Sequence, residues 1–388
     1  MMQLISLFQE ANYKITFATT AIASDKSVDL QSKGISVMEI KLNDASFDEF
    51  IFGLQPSVVL FDRFISEEQF GWRVAENLPT SLRVLDTEDL HFLRKAREES
   101  VTKAKPLNLF SETAKRELAS ILRCDLSLLI SEYEMHLLTD TFKIPLDLLF
   151  YLPFLVEPIT QEQQNELPSF EKRSGFMTIG NLLHAPNVDS IRYLKQDIWP
   201  GIREQLPKAE LYVYGHYAPQ QIMQMHRPSD GFFIKGWAPS VHEAMITARV
   251  CLAPLRFGAG LKGKLLDAMI YGTPAITTTL GAEGIYGQFE PPGSVEKDIQ
   301  NFVDAAVRLH NDKGEWQEAQ QRGFQILDKR FIYTSFSKPF QSTIKRLGAN
   351  LMEYRQQHFM GQLLQQQTLQ ATKYMSKWIE EKNKSKND

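Results

Sequence analysis

One segment in the second half of the chain, CLAPLRFGAGLKGKLLDAMIYGTPAITTTLGAEG, combines glycines, lysines and a carboxylate at a spacing that suits an anionic ligand. Gly258 and Gly260 permit a tight turn and close approach of a ligand to the backbone. Lys262 and Lys264 follow at the predicted start of a helix, where free N–H groups attract anions. Asp267 lies about one turn deeper in that helix. A phosphate site with a carboxylate behind it suits a phosphorylated ligand that also carries hydroxyls, such as a nucleotide sugar.

An ordinary loop with two solvated lysines at a helix end is the other interpretation of this turn. Its context favours a ligand site, because the loop follows a predicted buried strand over 250–253 and the helix has an apolar face. The next loop, TTTLGAEG, contains hydroxyls together with Gly281 and Glu283. We expect it to lie beside the lysine turn and to contact phosphate or sugar hydroxyls, although a solvated turn would have the same composition.

The loop after the first strand of the second half, in TIGNLLHAPNVDS, supplies a second candidate group. Gly180 and Asn181 follow the strand end directly, and Asn187 suits the N-cap position of the next helix. His184 has two open interpretations, since a histidine in a strand-to-helix loop either faces a ligand phosphate or packs locally. We include Gly180, Asn181 and His184 among the residues expected to bind a donor.

Two further strand ends carry glycine beside an aromatic residue. Gly215 is followed by a histidine and a tyrosine, and Gly236 is followed by Trp237. Glycine at these positions lets a planar base approach the backbone, and the aromatic ring offers a stacking surface. The alternative is a plain turn with a tryptophan in the core.

The first half contains one acid-rich strand end, LDTEDLHFLRKAR. Asp89 and His91 are candidates for binding an acceptor or handling a proton, while the neighbouring acids suit helix capping. The basic residues that follow, up to Lys105, suit either an anionic acceptor, a membrane surface or a solvated helix face. Glu132 and Glu134 appear in ISEYEM, where we expect structural roles.

Composition limits the class of protein. The 388 residues are 43% hydrophobic and 23% charged, which fits a globular chain of about two domains. A net charge of -4 gives none of the basic excess expected of a nucleic-acid binder. Two cysteines without a Cys/His cluster predict no structural metal and a reducing compartment. The N-terminus resembles no signal peptide and no apolar run is long enough to span a bilayer, so we expect a cytoplasmic protein.

Short apolar runs alternate with helical patterns, which predicts α/β units with parallel sheets. Domains are expected over 1–157 and 174–335, joined by a polar linker over 158–173 and followed by helices and a frayed tail over 336–388. The predicted strands are 14–18, 36–40, 58–62, 83–85, 126–130, 148–151, 176–179, 210–214, 232–234, 250–253 and 275–278. The predicted helices are 110–122, 188–199, 220–225, 240–247 and 262–271, with helix alone beyond 297.

From 176 to 285 the sequence resembles the group 1 glycosyltransferases, which are retaining enzymes of the GT-B fold. The matching segments are GFMTIGNLLHAPNVDSIRYL, LYVYGHY, FFIKGWAPSVHEAM and LAPLRFGAGLKGKLLDAMIYGTPAITTTLGAEGI. The likeness is to the subgroup whose donor motif is Gly-Ala-Gly-x-Lys-x-Lys.

The resemblance implies two Rossmann-like domains facing a cleft, with a UDP- or GDP-sugar on the second domain and the acceptor on the first. It implies sugar transfer with retention of configuration and no obligatory metal or cofactor. Lys262 and Lys264 would stabilise the departing diphosphate, Asp267 would bind the ribose, and the backbone at Gly236 and Trp237 would recognise the base. The acceptor class stays open between a sugar, a lipid-linked molecule and a protein, with contact to a membrane surface as one expectation.

The chain departs from the family pattern at three places. Ala259 stands where the first of two spaced glutamates is common, and Asn181 stands where an arginine is common. The phosphate charge would then fall on the two lysines and on Arg256. Family members open with a strand and a glycine-rich loop, whereas this chain begins apparently within the first helix. We therefore expect a misplaced start or a truncated first domain whose neighbouring strands have unpaired edges.

Three hypotheses follow from these features. The first is a retaining glycosyltransferase, and the second is a catalytically impaired nucleotide-sugar-binding protein of the same fold. The third is another enzyme of that fold, such as a nucleotide-sugar epimerase.

Overall fold

Two α/β domains face each other in the computed structural model, which describes residues 1–22, 27–366, 375–376, 378–379 and 382. The predicted frayed end over 380–388 therefore lies, apart from one residue, outside the described residues. None of the described helices combines the length and the hydropathy needed to cross a bilayer.

The first domain contains two separate parallel sheets. Among the described strands β1 pairs only with β2, and β3 pairs only with β4, so each is an edge strand of its sheet. The sheets are β1 (Thr16–Thr19) with β2 (Ser36–Glu39), and β3 (Val58–Asp62), β4 (Leu82–Asp86), β5 (Leu126–Leu129) and β6 (Leu149–Tyr151) in that order.

Helices cover this second sheet because their apolar faces pack into one core with β4 and β5. Ser111 caps the helix predicted over 110–122, since its hydroxyl accepts from the Ala114 N–H at 3.2 Å. The helices are α1 (Met2–Glu10), α2 (Ser46–Leu54), α3 (Arg63–Asn77), α4 (His91–Thr102), α5 (Glu112–Arg123) and α6 (Glu132–His136), with a π turn over Leu137–Thr141.

The connection between the domains is more ordered than its composition predicts. It contains α7 (Gln161–Glu166), which begins at a capping box where Thr160 and Gln163 satisfy each other's backbone N–H groups. Just before it, Val156 runs parallel to Ile332, where the chain returns to the first domain. The chain therefore passes between the two domains twice, and these two crossings lie side by side at the hinge.

The second domain is built on one six-stranded parallel sheet. Its order is β12-β11-β10-β7-β8-β9, so the winding reverses between β7 and β10 and leaves a crevice at their carboxyl ends. The strands are β7 (Phe176–Ile179), β8 (Leu211–Tyr214), β9 (Phe232–Gly236), β10 (Val250–Ala253), β11 (Ala275–Thr278) and β12 (Gly293–Glu296). The sequence did not predict β12, because its four residues, GSVE, lack an apolar run.

Helices lie on both faces of this sheet, as the doubly wound interpretation requires. The predicted helix over 188–199 begins earlier and passes through a π turn over Leu194–Ile198. The helices are α8 (Ala185–Tyr193), α9 (Trp199–Gln205), α10 (Gln220–Met223), α11 (Val241–Thr247), α12 (Gly263–Ile270), α13 (Thr279–Ala282), α14 (Ile299–Asn311) and α15 (Lys313–Arg330).

The last described helices return to the first domain. They are α16 (Tyr333–Ala349), α17 (Leu351–Gln357) and α18 (Phe359–Gln365). Phe340, Ile344 and Leu347 of α16 belong to the buried core of the first domain. Leu351 and Tyr354, which lie in a glutamine-rich stretch over 351–372, belong to the same core, while residues 367–372 of that stretch lie outside the described residues.

Candidate functional site

The crevice of the second domain opens into a cavity of about 480 Å³ at the carboxyl ends of β7, β8 and β10, which we call the donor-side cavity because the sequence predicts the donor there. A second cavity of about 580 Å³ adjoins it on the side of the first domain. Asn181, His184, Ala259 and Leu261 line both, so the two cavities form one cleft between the domains. The lining of the first cavity includes the predicted residues Gly180, Asn181, His184, Gly215, Trp237, Gly258, Lys262, Lys264 and Asp267.

Lys262 occupies the N-cap position of α12 and is buried at the edge of the cleft. Its Nζ donates to the carbonyl oxygens of Gly260 at 2.6 Å and Ala259 at 3.3 Å. Burial lowers the pKa of Lys262 to about 8, against the opposing pull of nearby carboxylates. An ammonium held by neutral carbonyls keeps its positive charge available to an anion in the cavity.

Lys264 lies in the first turn of α12, and its head is held by Asn187. The Nζ of Lys264 donates to Asn187 Oδ1 at 2.9 Å, and Asn187 Nδ2 donates to the Asn181 carbonyl at 2.9 Å. Burial lowers the pKa of Lys264 to about 8. Lys262 is buried and Lys264 is half-buried with its head bound to Asn187, which does not fit the interpretation of two solvated lysines.

Asn187 does not cap α8, as its position in the sequence predicted. The helix begins two residues earlier with His184 at the N-cap position, because Pro186 suits the first turn. Asn187 is thereby placed inside the first turn, facing Lys264. The sequence signal that could have identified Asn187 as a site residue is its loop, because Asn181, His184 and Asn187 all follow the end of β7.

Asp267 lies on α12 beside Lys264 and lines the cleft. Burial raises the pKa of Asp267 to about 6, so at neutral pH the carboxylate is ionised and able to accept from hydroxyls. It also borders a third cavity of about 930 Å³ between the domain connection and α11. Asp267 therefore lies between the donor-side cavity and this third cavity.

Two residues with open interpretations face the cleft. His184 lines both cavities, and its pKa is lowered by desolvation and by Arg94 of the first domain. Trp237 is 63% exposed and lines the donor-side cavity with its ring 6.2 Å from that of His216. The core interpretation of this tryptophan is wrong, and its indole face is open to a stacking partner.

Five residues predicted to touch the donor lie outside the lining of the first cavity. Arg256 is held by the carboxylate of Asp189 with Nε 2.8 Å from Oδ2, so its charge is already paired. Both oxygens of Glu283 accept from Arg97 at 2.8 Å, which occupies that carboxylate. The other three are the glycines Gly236, Gly260 and Gly281, which shape the turns around the cavity.

The acid-rich strand end lines the cavity on the side of the first domain. Asp89 accepts from Arg94 Nη1 at 2.7 and 2.5 Å, and His91 Nε2 lies 3.6 Å from Asp89 Oδ1. Burial and the positive charge of Arg94 lower the pKa of His91 to about 4, so this ring is neutral near pH 7. Burial raises the pKa of Asp86 to about 6.

Two residues that bridge the domains beside this site were not predicted. Arg97 donates to the Gly258 carbonyl at 2.9 Å as well as to Glu283. Glu134 accepts from the N–H of Gly260 at 2.8 Å. Both act across the cleft, so no local pattern in the sequence marks them. Within the described residues no group of three or more His, Cys, Asp or Glu side chains is placed to hold a metal ion.

Comparison with known proteins finds a family match over the second domain. Residues 173–312 match the family model described as "Glycosyl transferases group 1". No curated protein matches the chain. The matched segment contains the whole donor-side cavity lining.

Solved structures share the fold at low identity. Sucrose-phosphate synthase from Thermosynechococcus elongatus is 14% identical with a TM-score of 0.68, covering 89% of this chain and 92% of its own. HepE from Anabaena, solved with UDP and glucose, is 10% identical with a TM-score of 0.65, covering 88% and 95%. The pneumococcal O-GlcNAc transferase GtfA, solved with UDP and GlcNAc, is 15% identical with a TM-score of 0.61 over 78% of this chain.

The chain spans 59% of the length of that pneumococcal enzyme. The two parallel-sheet domains, the cleft and these likenesses together define the fold as GT-B, as the sequence predicted.

Proposed function

We propose that this protein is a glycosyltransferase that moves a sugar from a nucleotide diphosphate donor to a hydroxyl acceptor with retention of configuration. The observation that carries the proposal is the pair Lys262, which is buried, and Lys264, which is half-buried, at the N-terminus of α12 and lining one wall of the cleft. The family match over the second domain and the UDP in the HepE and GtfA structures support a uridine nucleotide over a guanosine one.

The proposed catalysis depends on stabilising negative charge on the leaving diphosphate. When the bond between sugar and diphosphate breaks, negative charge grows on the leaving phosphate. Two ammonium groups and the free N–H groups at the start of α12 stabilise that charge in a partly desolvated cleft. In this proposal Asp267 accepts from ribose hydroxyls and Trp237 stacks against the base, and both residues line the cavity. This scheme needs no metal, because the protein itself supplies the cations.

The acceptor binds, in this proposal, in the cavity on the side of the first domain. Its arginines are already paired, Arg94 with Asp89 and Arg63 with Asp62. Asp86 adds a further carboxylate, so neither arginine in the described lining of this cavity is left unpaired for an anionic acceptor. A neutral hydroxyl compound, such as a sugar unit, fits this balance better than a phosphorylated or uronic-acid acceptor. Both cysteines are buried thiols, which fits the expected reducing cytoplasm.

A two-stage experiment tests the proposal. Thermal unfolding is first followed with UDP, GDP and ADP, since a ligand at 100 times its Kd adds about 2.7 kcal/mol. The UDP-sugar donors are then incubated with the protein, and UDP release and the anomeric configuration of the product are followed by NMR. Binding without any donor cleavage would favour the catalytically impaired binding protein. A protein that binds none of the nucleotides would contradict both hypotheses.

A further inference from the structure

Glu134 is a fully buried carboxylate where the two domains meet. Its Oε1 accepts from the Leu90 N–H at 3.0 Å and from the Gly260 N–H at 2.8 Å. Leu90 belongs to the first domain and Gly260 to the second. One oxygen atom thus joins the backbones of two loops on opposite sides of the cleft.

Both loops belong to the proposed reaction site, and we call residues 87–90 the acceptor loop and residues 254–262 the donor loop. Leu90 lies between Asp89 and His91, which line the acceptor side. Gly260 lies in the turn before α12, and its carbonyl accepts from Lys262 Nζ. The Gly260 N–H shares a peptide plane with the Ala259 carbonyl, which accepts from Lys262 Nζ at 3.3 Å. Holding that N–H therefore also fixes one of the two oxygens to which the Lys262 head is bound.

The two loops touch closely at this point. Gly260 has a φ of +61°, and a Cβ built there would lie 2.8 Å from Asp89 Cβ and 3.0 Å from Ile130 Cδ1. The turn has no room to slide toward the first domain. The hydrogen bond from Gly260 to Glu134 restrains it in the other direction.

A buried carboxylate is a poor choice for stability alone. The Oε2 of Glu134 is buried and accepts no hydrogen bond from the described residues, which costs free energy that an uncharged acceptor would avoid. The charged groups that face Glu134 are Asp89 on the acceptor loop, Lys262 on the donor loop and Glu117 on α5.

We propose that Glu134 is a positioning residue that sets the donor loop, with Lys262, at a fixed distance from the acceptor loop. The proposal rests on the glycosyltransferase function proposed above. Burial, with Asp89 adding to it, raises the pKa of Glu134 to about 7. As pH rises through that value the group ionises, becomes the stronger acceptor and holds the two N–H groups more tightly.

Three variants test the role of Glu134. Glu134→Ala removes the acceptor, and Glu134→Gln keeps an acceptor oxygen but cannot ionise. Glu132→Gln is the matched control, because Glu132 lies on the same helix and pairs with Arg330 of the second domain at 2.7 Å without touching Gly260. Donor cleavage, UDP affinity and backbone hydrogen exchange of a peptide covering 256–264 are measured for each.

We expect Glu134→Ala to lower kcat for donor cleavage by about 100-fold, because a small displacement of a catalytic group has that effect. UDP affinity should change by less than about tenfold, since the lysines and backbone remain. Glu134→Gln should restore most of kcat but lose the rise in activity near pH 7. The 256–264 peptide should exchange faster in Glu134→Ala and not in Glu132→Gln.

The inference is overturned if Glu134→Ala has wild-type kcat and exchange, or if Glu132→Gln reproduces its effects. It is also overturned if wild type and Glu134→Gln have the same pH profile, a comparison that remains if the alanine variant does not fold. Hydrogen exchange needs no donor. If the wild type neither binds a nucleotide nor cleaves a donor, the proposed function fails, and the exchange result alone decides whether Glu134 holds the loop.

Discussion

Lys262 and Lys264 are unfavourable residues for the folded protein, taken by themselves. Burial lowers the pKa of each from 10.5 to about 8. Between these two values the unfolded chain binds the proton more tightly than the folded chain, so stability falls as pH drops from 10.5 toward 8 and stays reduced below that. Buried amines with this effect are typical of functional sites.

Replacing either lysine by methionine should therefore separate function from stability. We expect Lys262→Met and Lys264→Met each to weaken UDP binding by more than about tenfold, since a charge-assisted contact is lost. The melting temperature should stay level or rise, because an apolar side chain of similar length removes a buried charge. Calorimetric titration and thermal unfolding measure the two effects. Lys208→Ala, exposed on the same domain, is the control, and unchanged UDP affinity in the double Met variant would refute the site.

The same lysines predict how binding depends on pH. Below pH 8 both are already protonated, so UDP affinity should be nearly constant. Above pH 8 binding must take up protons, and affinity should fall by up to about tenfold per pH unit for each lysine. Titration calorimetry between pH 7 and 10 measures the slope, and each single Met variant should halve it. A flat profile up to pH 10 would show that these amines do not contact the diphosphate.

At this scale the sequence predicted that Lys262 and Lys264 face a ligand site, because glycines and a helix start surround them, and both do line the cleft. That they bind a donor stays a prediction. The sequence did not predict the contact of Glu134 with Gly260, which is 126 positions away. It also placed Arg256 and Glu283 at the donor, whereas each is neutralised by a partner that only the tertiary fold brings near. Spacing along the chain reports on local geometry and says nothing of pairing across a cleft.

At the scale of elements, the strand ends and the first turns of the following helices make the donor side of the cleft. Apolar runs flanked by glycine were enough to predict most of these strands to within a residue or two. The start of α8 was less predictable, because Asn187 and His184 both occupy positions that suit a cap. His184 became the N-cap because Pro186 suits the first turn, and Asn187 instead binds Lys264 of α12.

Gly180 offers a test of this junction between strand and helix. A Cβ at position 180 would lie 2.6 Å from the Asn187 side chain, so Gly180→Ala should displace Asn187 and release the Lys264 head. We expect UDP affinity to fall by about three- to tenfold with both lysines intact. Calorimetric titration measures it. Gly53→Ala, where an added Cβ meets nothing within 4 Å, serves as the control. An affinity equal to wild type would mean that Asn187 does not position Lys264.

At the scale of the molecule, the first domain is assembled from both ends of the chain. Phe340 of α16 is 1% exposed and packs against Phe8 and Phe150, with ring centroids 5.4 and 5.8 Å apart. The sequence predicted helices in this region but not the domain on which they pack. That choice of domain depends on long-range packing, which helical periodicity alone does not specify.

We expect Phe340→Ala to destabilise the first domain by about 3–5 kcal/mol through loss of buried contacts. UDP affinity should stay within about twofold of wild type, because the lysines lie on the other domain. Urea unfolding followed by circular dichroism measures the first effect. Phe359→Ala is the matched control, since that ring is 57% exposed. Equal stability of the two variants would contradict the packing of α16 on the first domain.

The double crossing at Val156 and Ile332 also sets the order in which the protein can fold as it leaves the ribosome. The buried residues in the cores of the second domain all lie between Val156 and Phe331 in the described chain, and the partly buried Ile130 and Phe154 pack against them. The core of the first domain also requires residues up to Tyr354. At about 5–20 residues per second, the roughly 200 residues between Leu155 and Tyr354 take roughly 10–40 s to synthesise. The domain begun first is therefore finished last, and its apolar surface stays open to chaperones meanwhile.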